Sequence, residues 1–298
     1  MDVDTLRGTV EGVPRLLDLL GRHGARATFL FSLGPDSTGR AIKRVFRRGF
    51  VKKVMSASPA ASYGIRTMLY GTLLPAPDIG KRKDAVARMR EVAAAGHECG
   101  VHAWDHVDWH DRLPNMDRSE VFGTFGRAAE RFAEVFGRAA QVAGAPGWTA
   151  NGLSVEAYEA SGILVASDTR GGSPFRPLRA DGTPSSIVEV PSTLPTLDEL
   201  LAFDEFRGEK REGAIDHLRR AVREADGISV HSVHTEIEGG RAFAGLFGRQ
   251  LEGWSADGVS FVTLTDVADS AGTLPAWPLR FTTVRGRAIP VTTGESAA

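Results

Sequence analysis

Short apolar segments alternate with amphipathic segments along most of this chain, and that alternation limits the possible folds more than any other feature of the sequence. In the first repeat, residues 11–23 carry apolar side chains at helical spacing, and residues 27–32 form a short run typical of a buried strand. Strands of this length that alternate with helices pair in parallel. The sequence therefore predicts an α/β fold, either a (β/α) barrel or a large open sheet.

The same pattern continues to about residue 269, so we expect one domain over residues 1–269. Further helices are predicted over 84–95, 118–136, 210–225 and 242–256. Further strands are predicted up to His102, around Val142, and over 162–167, 187–190, 228–234 and 259–264. Residues 270–298 contain proline, glycine, threonine and serine without periodicity, which predicts a poorly ordered tail.

Residues 34–80 interrupt the alternation. This segment is too long for an ordinary connection between a strand and a helix, which predicts a functional insertion after the second strand. Within it, apolar and basic residues alternate over residues 40–54. Such a segment can lie on an anionic membrane surface or bind phosphate. A surface helix with its basic residues outward explains the pattern equally well.

Composition excludes several classes of protein. A formal net charge of -1 argues against binding nucleic acid through overall charge. The single cysteine, Cys99, cannot form an internal disulfide, which suits a reducing compartment. No segment approaches the roughly 18 continuous apolar residues that a spanning helix needs, so we expect a soluble or membrane-peripheral protein. A first strand of about five residues would begin before Met1, which predicts additional residues upstream.

Acidic and imidazole side chains recur at separate predicted strand ends. Asp2 and Asp4 flank one apolar residue, so an extended strand directs both carboxylates to one face. His102 and His106 are four residues apart and would share one face of a helical turn. One aspartate and two histidines suffice to hold a divalent metal and leave positions open for water and substrate. The spacing alone also allows a solvated histidine pair.

Five segments of the chain resemble the polysaccharide deacetylases with a NodB-type homology domain. They are DVDTLRGTVEGVPRLL, GVHAWDHVDWHDR, SDTRGGSPFRP, VPSTLPTLDE and VHTEIEG. The resemblance runs from Met1 to about Asp269 and is strongest to the branch that deformylates undecaprenyl-phosphate 4-deoxy-4-formamido-L-arabinose in lipid A modification. It implies a distorted (β/α) barrel and a metal-dependent amide hydrolase.

The resemblance also implies roles for individual residues. The implied metal ligands are Asp4, His102 and His106. The implied proton-transfer residues are Asp2 as general base, His234 as general acid and Asp168, which would orient the acid. Two alternatives remain open: Asp2 as a second metal ligand, and His234 as a core histidine. The implied metal is zinc, with cobalt, iron or manganese as alternatives.

Three more residues are expected at the substrate. Trp148 matches a site-lining aromatic, and Glu236 would contact substrate or a ligand-supporting group, although a solvated turn residue fits equally well. The family has an arginine after this tryptophan, beside the base, whereas Thr149 follows here. Arg170 or another cation would then have to substitute.

The implied function is deformylation of the lipid-linked sugar by a cytoplasmic protein, peripheral on the inner face of the bacterial inner membrane. Its partners would be the undecaprenyl-phosphate-linked amino sugar and the anionic membrane surface. A general carbohydrate N-deacetylase is the first alternative. A catalytically weakened protein that binds lipid-linked sugars without turnover is the second, and Thr149 motivates it.

Overall fold

A computed structural model of the chain describes residues 1–41, 64–285, 287 and 289–294. The strands are β1 (Asp2–Val3), β2 (Thr28–Ser32), β3 (Glu98–Ala103), β4 (Val142–Ala143), β5 (Val165–Ala166), β6 (Arg176–Pro177), β7 (Val188–Glu189), β8 (Ala276–Trp277), β9 (Leu279–Thr282) and β10 (Val291–Gly294). The α-helices are α1 (Val13–Arg22), α2 (Lys83–Ala94), α3 (His106–Arg112), α4 (Arg118–Phe136), α5 (Gly152–Ala160), α6 (Leu197–Leu201), α7 (Glu212–Glu224), α8 (Ala244–Ala256) and α9 (Leu264–Ser270). Most of the proposed basic segment 40–54 lies outside the described residues.

Six strands form one parallel sheet in the order β1–β2–β3–β4–β5–β7. β2 lies between β1 and β3 and is buried along its whole length, as expected for a strand covered by helices on both faces. Phe29 and Phe31 on β2 belong to the same core as Leu16 and Leu20 on α1. Burial of each of these side chains contributes about 1.5–3 kcal/mol. The predicted parallel α/β architecture is confirmed.

The sheet is extended beyond β1 by a single bridge between Asp2 and His234. Asp2 N–H donates to the Val233 carbonyl at 2.7 Å, and Thr235 N–H donates to the Asp2 carbonyl at 3.0 Å. The strand predicted over 228–234 is therefore reduced to this bridge. Before it, the Val230 N–H bonds the Thr193 hydroxyl instead of a neighbouring strand.

The strand predicted over 259–264 is not formed. Thr263 caps α9 instead: its hydroxyl accepts the Asp266 N–H, and the Asp266 carboxylate accepts the Thr263 N–H. This reciprocal pair satisfies backbone donors that a ladder would otherwise use. Over so few residues, periodicity cannot distinguish a strand from an apolar run that leads into a helix, so the predicted strand is wrong here.

The described part of residues 270–298 differs from the poorly ordered tail expected. β9 and β10 form an antiparallel hairpin, and β8 pairs with β6. Thr292 on β10 is buried; its hydroxyl accepts the Ala150 N–H at 3.0 Å and its carbonyl accepts the Arg170 N–H at 2.9 Å. These partners are distant in sequence, so composition gave no sign of them.

Candidate metal centre

Asp4, His102 and His106 meet at the carboxyl edge of the sheet, where β1 and β3 end. His102 is on β3 and His106 is the first residue of α3. The two histidines therefore do not share a helical turn, contrary to the expectation from their spacing. Asp105 lies between strand and helix with extended backbone, and its carboxylate accepts the N–H groups of the next turn, so the strand ends there.

The three side chains present their ligand atoms to one small volume, with all of these atoms within 4.8 Å of one another. Asp4 Oδ1 is 3.2 Å from His102 Nε2, and Asp4 Oδ2 is 3.6 Å from His106 Nε2. His102 Nδ1 is 2.6 Å from the Gly144 carbonyl and donates its proton there, which turns the Nε2 lone pair towards Asp4.

This geometry fits a cation. Asp4 Oδ1 is buried and accepts no hydrogen bond of normal geometry from the described residues. With Nδ1 protonated, a neutral His102 turns a lone pair towards an anionic oxygen, and two electron-rich atoms at this distance need a positive charge between them. Two imidazoles and one carboxylate form a donor set suited to a divalent metal.

The ionisation of the cluster favours metal binding at two of the three side chains and opposes it at the third. Burial lowers the pKa of His106 to about 4, so that ring is neutral at pH 7. Burial opposes ionisation of Asp4, but His106 and His102 outweigh it and hold the pKa of Asp4 below its usual range. Burial also favours neutral His102, yet Asp2 and Asp4 outweigh it and raise the pKa of His102. A proton therefore competes with a metal at His102.

A cavity of about 640 Å³ opens on the cluster. Asp2, His102, His106, Trp148 and His234 all line it. The residues predicted as base and acid, the two predicted histidine ligands and the site-lining aromatic thus share one space. Its size is in the range usual for small-molecule sites.

His234 is held by a carboxylate that the sequence interpretation missed. Its Nδ1 is 3.5 Å from Asp198 Oδ1. Burial would lower the pKa of His234, but Asp198 and Asp4 outweigh burial and raise it to about 9. Asp198 is the second residue of α6, two positions after the N-cap Thr196. The only signal was its place in the VPSTLPTLDE segment.

Asp168 does not have the predicted position beside His234; no hydrogen bond or ion pair joins the two among the described residues. Its Oδ1 accepts the Ala145 N–H at 2.6 Å and lies 3.4 Å from the Tyr158 hydroxyl. Asp168 follows the end of β5. Because β4 lies between β5 and β3 in the sheet, Asp168 lies beside the end of β4. The carboxylate that lies beside His234 is that of Asp198 instead.

Glu236 supports the Asp4 loop. Its Oε1 accepts the N–H of Asp4 at 3.2 Å, the N–H of Thr5 at 2.8 Å and the hydroxyl of Thr5 at 2.7 Å. The side chain is buried, and a β-carbon added to Gly8 would lie only 2.0 Å from Oε1. Of the three expectations for Glu236, contact with a ligand-supporting group agrees with these hydrogen bonds.

Two guanidinium groups lie over the ring of Trp148. Arg170 and Arg287 stack on the ring at 4.8 and 4.5 Å from its centre, and the indole N–H donates to Ser192. Trp148 has a φ of +52°, which is strained for a bulky residue and directs the ring to the cavity. The adjacent carboxylate of Glu199 forms ion pairs with both Arg170 and Arg287.

Arg170 therefore does not replace the missing arginine. It is buried against Glu199 and Trp148, and within the described ranges no arginine or lysine forms an ion pair with Asp2. Thr149 is buried, and its carbonyl accepts the Trp109 indole N–H at 3.0 Å. The surroundings of Asp2 consist instead of its backbone pairing with His234 and of the imidazoles that line the same cavity.

A parallel α/β sheet with an aspartate and two histidines at its carboxyl edge defines a metal-dependent hydrolase. Residues 4–166 match the model of the polysaccharide deacetylase family. The chain belongs to this family, whose members require a divalent metal, and it is a hydrolase of amide C–N bonds.

Three relatives illustrate the similarity. A probable 4-deoxy-4-formamido-L-arabinose-phosphoundecaprenol deformylase ArnD from Shewanella sediminis is 33% identical, over 94% of this chain and 87% of its own length. Its counterpart of the same name from Wigglesworthia glossinidia brevipalpis is 26% identical, over 94% and 96%. A probable polysaccharide deacetylase of known structure from Pseudomonas aeruginosa PAO1 shares the fold, with a TM-score of 0.58, 18% identity and coverage of 88% and 73%.

Proposed function

We propose that this chain removes the formyl group from undecaprenyl-phosphate-linked 4-deoxy-4-formamido-L-arabinose, a step of lipid A modification. The observation that carries the proposal is the near full-length similarity to the Shewanella relative named for that reaction. The amide of a formamido sugar is also the kind of bond that the metal centre is suited to hydrolyse.

Asp4, His102 and His106 would hold the metal, and zinc suits two imidazoles and one carboxylate well; cobalt, iron or manganese fit the same donors. Bound there, a divalent cation supplies Lewis acidity, which lowers the pKa of water and polarises an amide carbonyl. Asp2 lies two residues before Asp4 and lines the cavity beside His102 and His106. As general base it takes a proton from the attacking water.

His234 acts as the general acid. Because Asp198 keeps it protonated, it can donate a proton to the sugar nitrogen as the C–N bond breaks, which releases formate and the free amine. Glu238 supports the position of this residue, since its Oε2 accepts the backbone N–H of His234 at 3.0 Å. Trp148 forms an apolar wall for the sugar, and Arg170 holds that ring in place.

The substrate's polyprenyl chain requires contact with a membrane. We place the protein in the cytoplasm, peripheral on the inner face of the inner membrane, with the basic residues of 40–54 against anionic lipid. No helix among the described residues is long and apolar enough to cross a bilayer. Reversing the charges of Arg47, Arg48, Lys52 and Lys53 should reduce co-sedimentation with anionic vesicles; unchanged binding would argue against this segment.

The test of activity is formate release from the lipid-linked formamido sugar, followed by mass spectrometry of the sugar product. The matched substrate is the same lipid-linked sugar carrying an acetyl group. Formate release that is lost in Asp2→Asn supports the proposed reaction and base. Acetate release from N-acetylated glycans without formate release would identify a general N-deacetylase instead.

A further inference from the structure

One peptide group separates Asp168 from the metal ligand His102. The carbonyl of this peptide, on Gly144, accepts the His102 Nδ1 proton at 2.6 Å. Its N–H, on Ala145, donates to Asp168 Oδ1, also at 2.6 Å. Carboxylate, peptide and imidazole therefore form one continuous chain of hydrogen bonds, and all of these groups are buried.

The order of the sheet brings these groups together. His102 lies near the end of β3, Gly144 directly follows β4, and Asp168 follows β5. Because the three strands are parallel neighbours, their carboxyl ends lie side by side. The chain of hydrogen bonds thus runs across the strand ends, towards the metal centre.

A carboxylate at one end of a peptide affects the group at the other end. Burial raises the pKa of Asp168 to about 7. Above this pH the ionised carboxylate draws the N–H proton and increases the negative charge on the carbonyl oxygen of the same peptide. The stronger acceptor then fixes the imidazole as its Nδ1–H tautomer and increases the basicity of Nε2. Carboxylates behind metal-binding histidines act in this way when they contact the ring directly.

We infer that Asp168 is a positioning residue for the metal ligand His102 and acts through the Gly144–Ala145 peptide. The inference rests on the proposed metal centre. It assigns Asp168 to the metal side of the site, whereas the sequence resemblance assigned it to the acid.

The surroundings of Asp168 allow a clean test. Its backbone N–H donates to Glu189 Oε1 at 2.7 Å, and the neighbouring Thr169 hydroxyl donates to the same oxygen at 2.8 Å. These bonds hold the backbone independently of the Asp168 side chain. Asp168→Asn keeps the shape and an acceptor oxygen but loses the charge, whereas Asp168→Ala removes the acceptor.

The experiment measures Zn²⁺ and Co²⁺ dissociation constants by competition with a chelator. We expect binding to weaken about 10- to 100-fold in Asp168→Asn, and further in Asp168→Ala. In the zinc-loaded protein, the His102 Nδ1–H resonance should exchange faster with water and shift in Asp168→Asn. Neither readout depends on turnover.

Tyr158→Phe is the matched control, because it removes the other hydrogen bond to Asp168 Oδ1 and keeps the buried ring. We expect its metal affinity to stay within about twofold of the wild type. Asp168→Asn that is folded by circular dichroism, binds both metals as the wild type does and keeps the His102 resonance would overturn the inference alone. A wild-type protein that binds neither metal would overturn the proposed centre as well.

Discussion

The metal side and the acid side of the site are held by different kinds of contact. On the metal side, His102 bonds Gly144 at 2.6 Å, and Glu236 accepts three hydrogen bonds from Asp4 and Thr5, all between buried groups. On the acid side, His234 is 3.5 Å from Asp198, whose side chain is 44% exposed. Buried hydrogen bonds fix position, whereas a partly exposed ion pair sets charge and is screened by salt. The site thus combines a buried, hydrogen-bonded candidate metal centre with a histidine, proposed as the acid, whose charge depends on a salt-sensitive ion pair.

Loss of a metal ligand should have the largest effect. Asp4→Ala removes the only carboxylate of the cluster, and we expect deformylation to fall at least about ten-thousandfold because the Lewis acid is lost. Elemental analysis of the purified variant should show no bound metal. His217→Ala, a histidine that packs on Phe206, is the control. Full metal content in Asp4→Ala would contradict the assignment of this ligand.

Substitution of the proposed acid, His234, should affect turnover without affecting metal binding. We expect His234→Gln to lower turnover about 100- to 10,000-fold, the range usual for a general acid, with metal affinity unchanged. A formanilide substrate, whose leaving amine needs less protonation, should show a smaller loss. Equal losses on both substrates, or loss of metal from the variant, would show that His234 does not act as the acid alone.

Glu236 and Glu238 are two residues apart, and they contact different parts of the site: Glu236 contacts the metal side and Glu238 contacts the acid side. Glu236→Ala leaves three buried donors without their acceptor, so we expect metal affinity about 10- to 100-fold weaker and the free energy of unfolding lower by about 1–3 kcal/mol. Glu238→Gln should lower turnover but preserve metal affinity, since Glu238 contacts His234. Chelator competition and chemical denaturation check both. The same metal affinity in both variants would contradict this division.

The smallest effect is expected from Asp198→Asn. This change should lower the pKa of His234 from about 9 towards its ordinary value, because the negative charge beside the ring is lost. Proton NMR titration of the metal-free protein measures this pKa. The folded pKa is raised, so the pair stabilises the fold below the unfolded pKa of about 6.5, and this contribution is lost as the pH rises through about 9. Added salt should reduce the difference between variant and wild type. An unchanged His234 pKa would exclude Asp198 as the partner.

Local patterns predicted the helices well. Helix α4 covers the predicted residues 118–136, because Asp117 and Glu120 form a capping box and Gly137 ends the helix with a φ of +70°. Start and stop signals of this kind are complete within one segment. The strand predicted over 228–234 failed, because the pairing of a strand depends on neighbours that its own residues do not specify.

The candidate site residues show the same difference between features that one segment specifies and features that depend on distant segments. The DVD and HAWDH segments predicted that Asp4, His102 and His106 would meet, and the structure does bring these side chains together, because residue type and strand-end position are both visible in sequence. The partners of the acid could not be identified in this way. From the sequence, Asp168 and Asp198 are equally plausible as the carboxylate partner of His234. The tertiary structure places Asp168 behind His102 and Asp198 beside His234.

The sequence by itself determined the parallel α/β class, the family and the residue types that can bind a metal, because periodicity and ligand chemistry are local properties. Tertiary structure alone decided which carboxylate serves which histidine, how the described part of residues 270–298 is built into the fold, and that Glu236 holds the Asp4 loop across 232 positions of sequence. Those choices depend on distances between segments remote in the chain, which are fixed only when strand ends become neighbours.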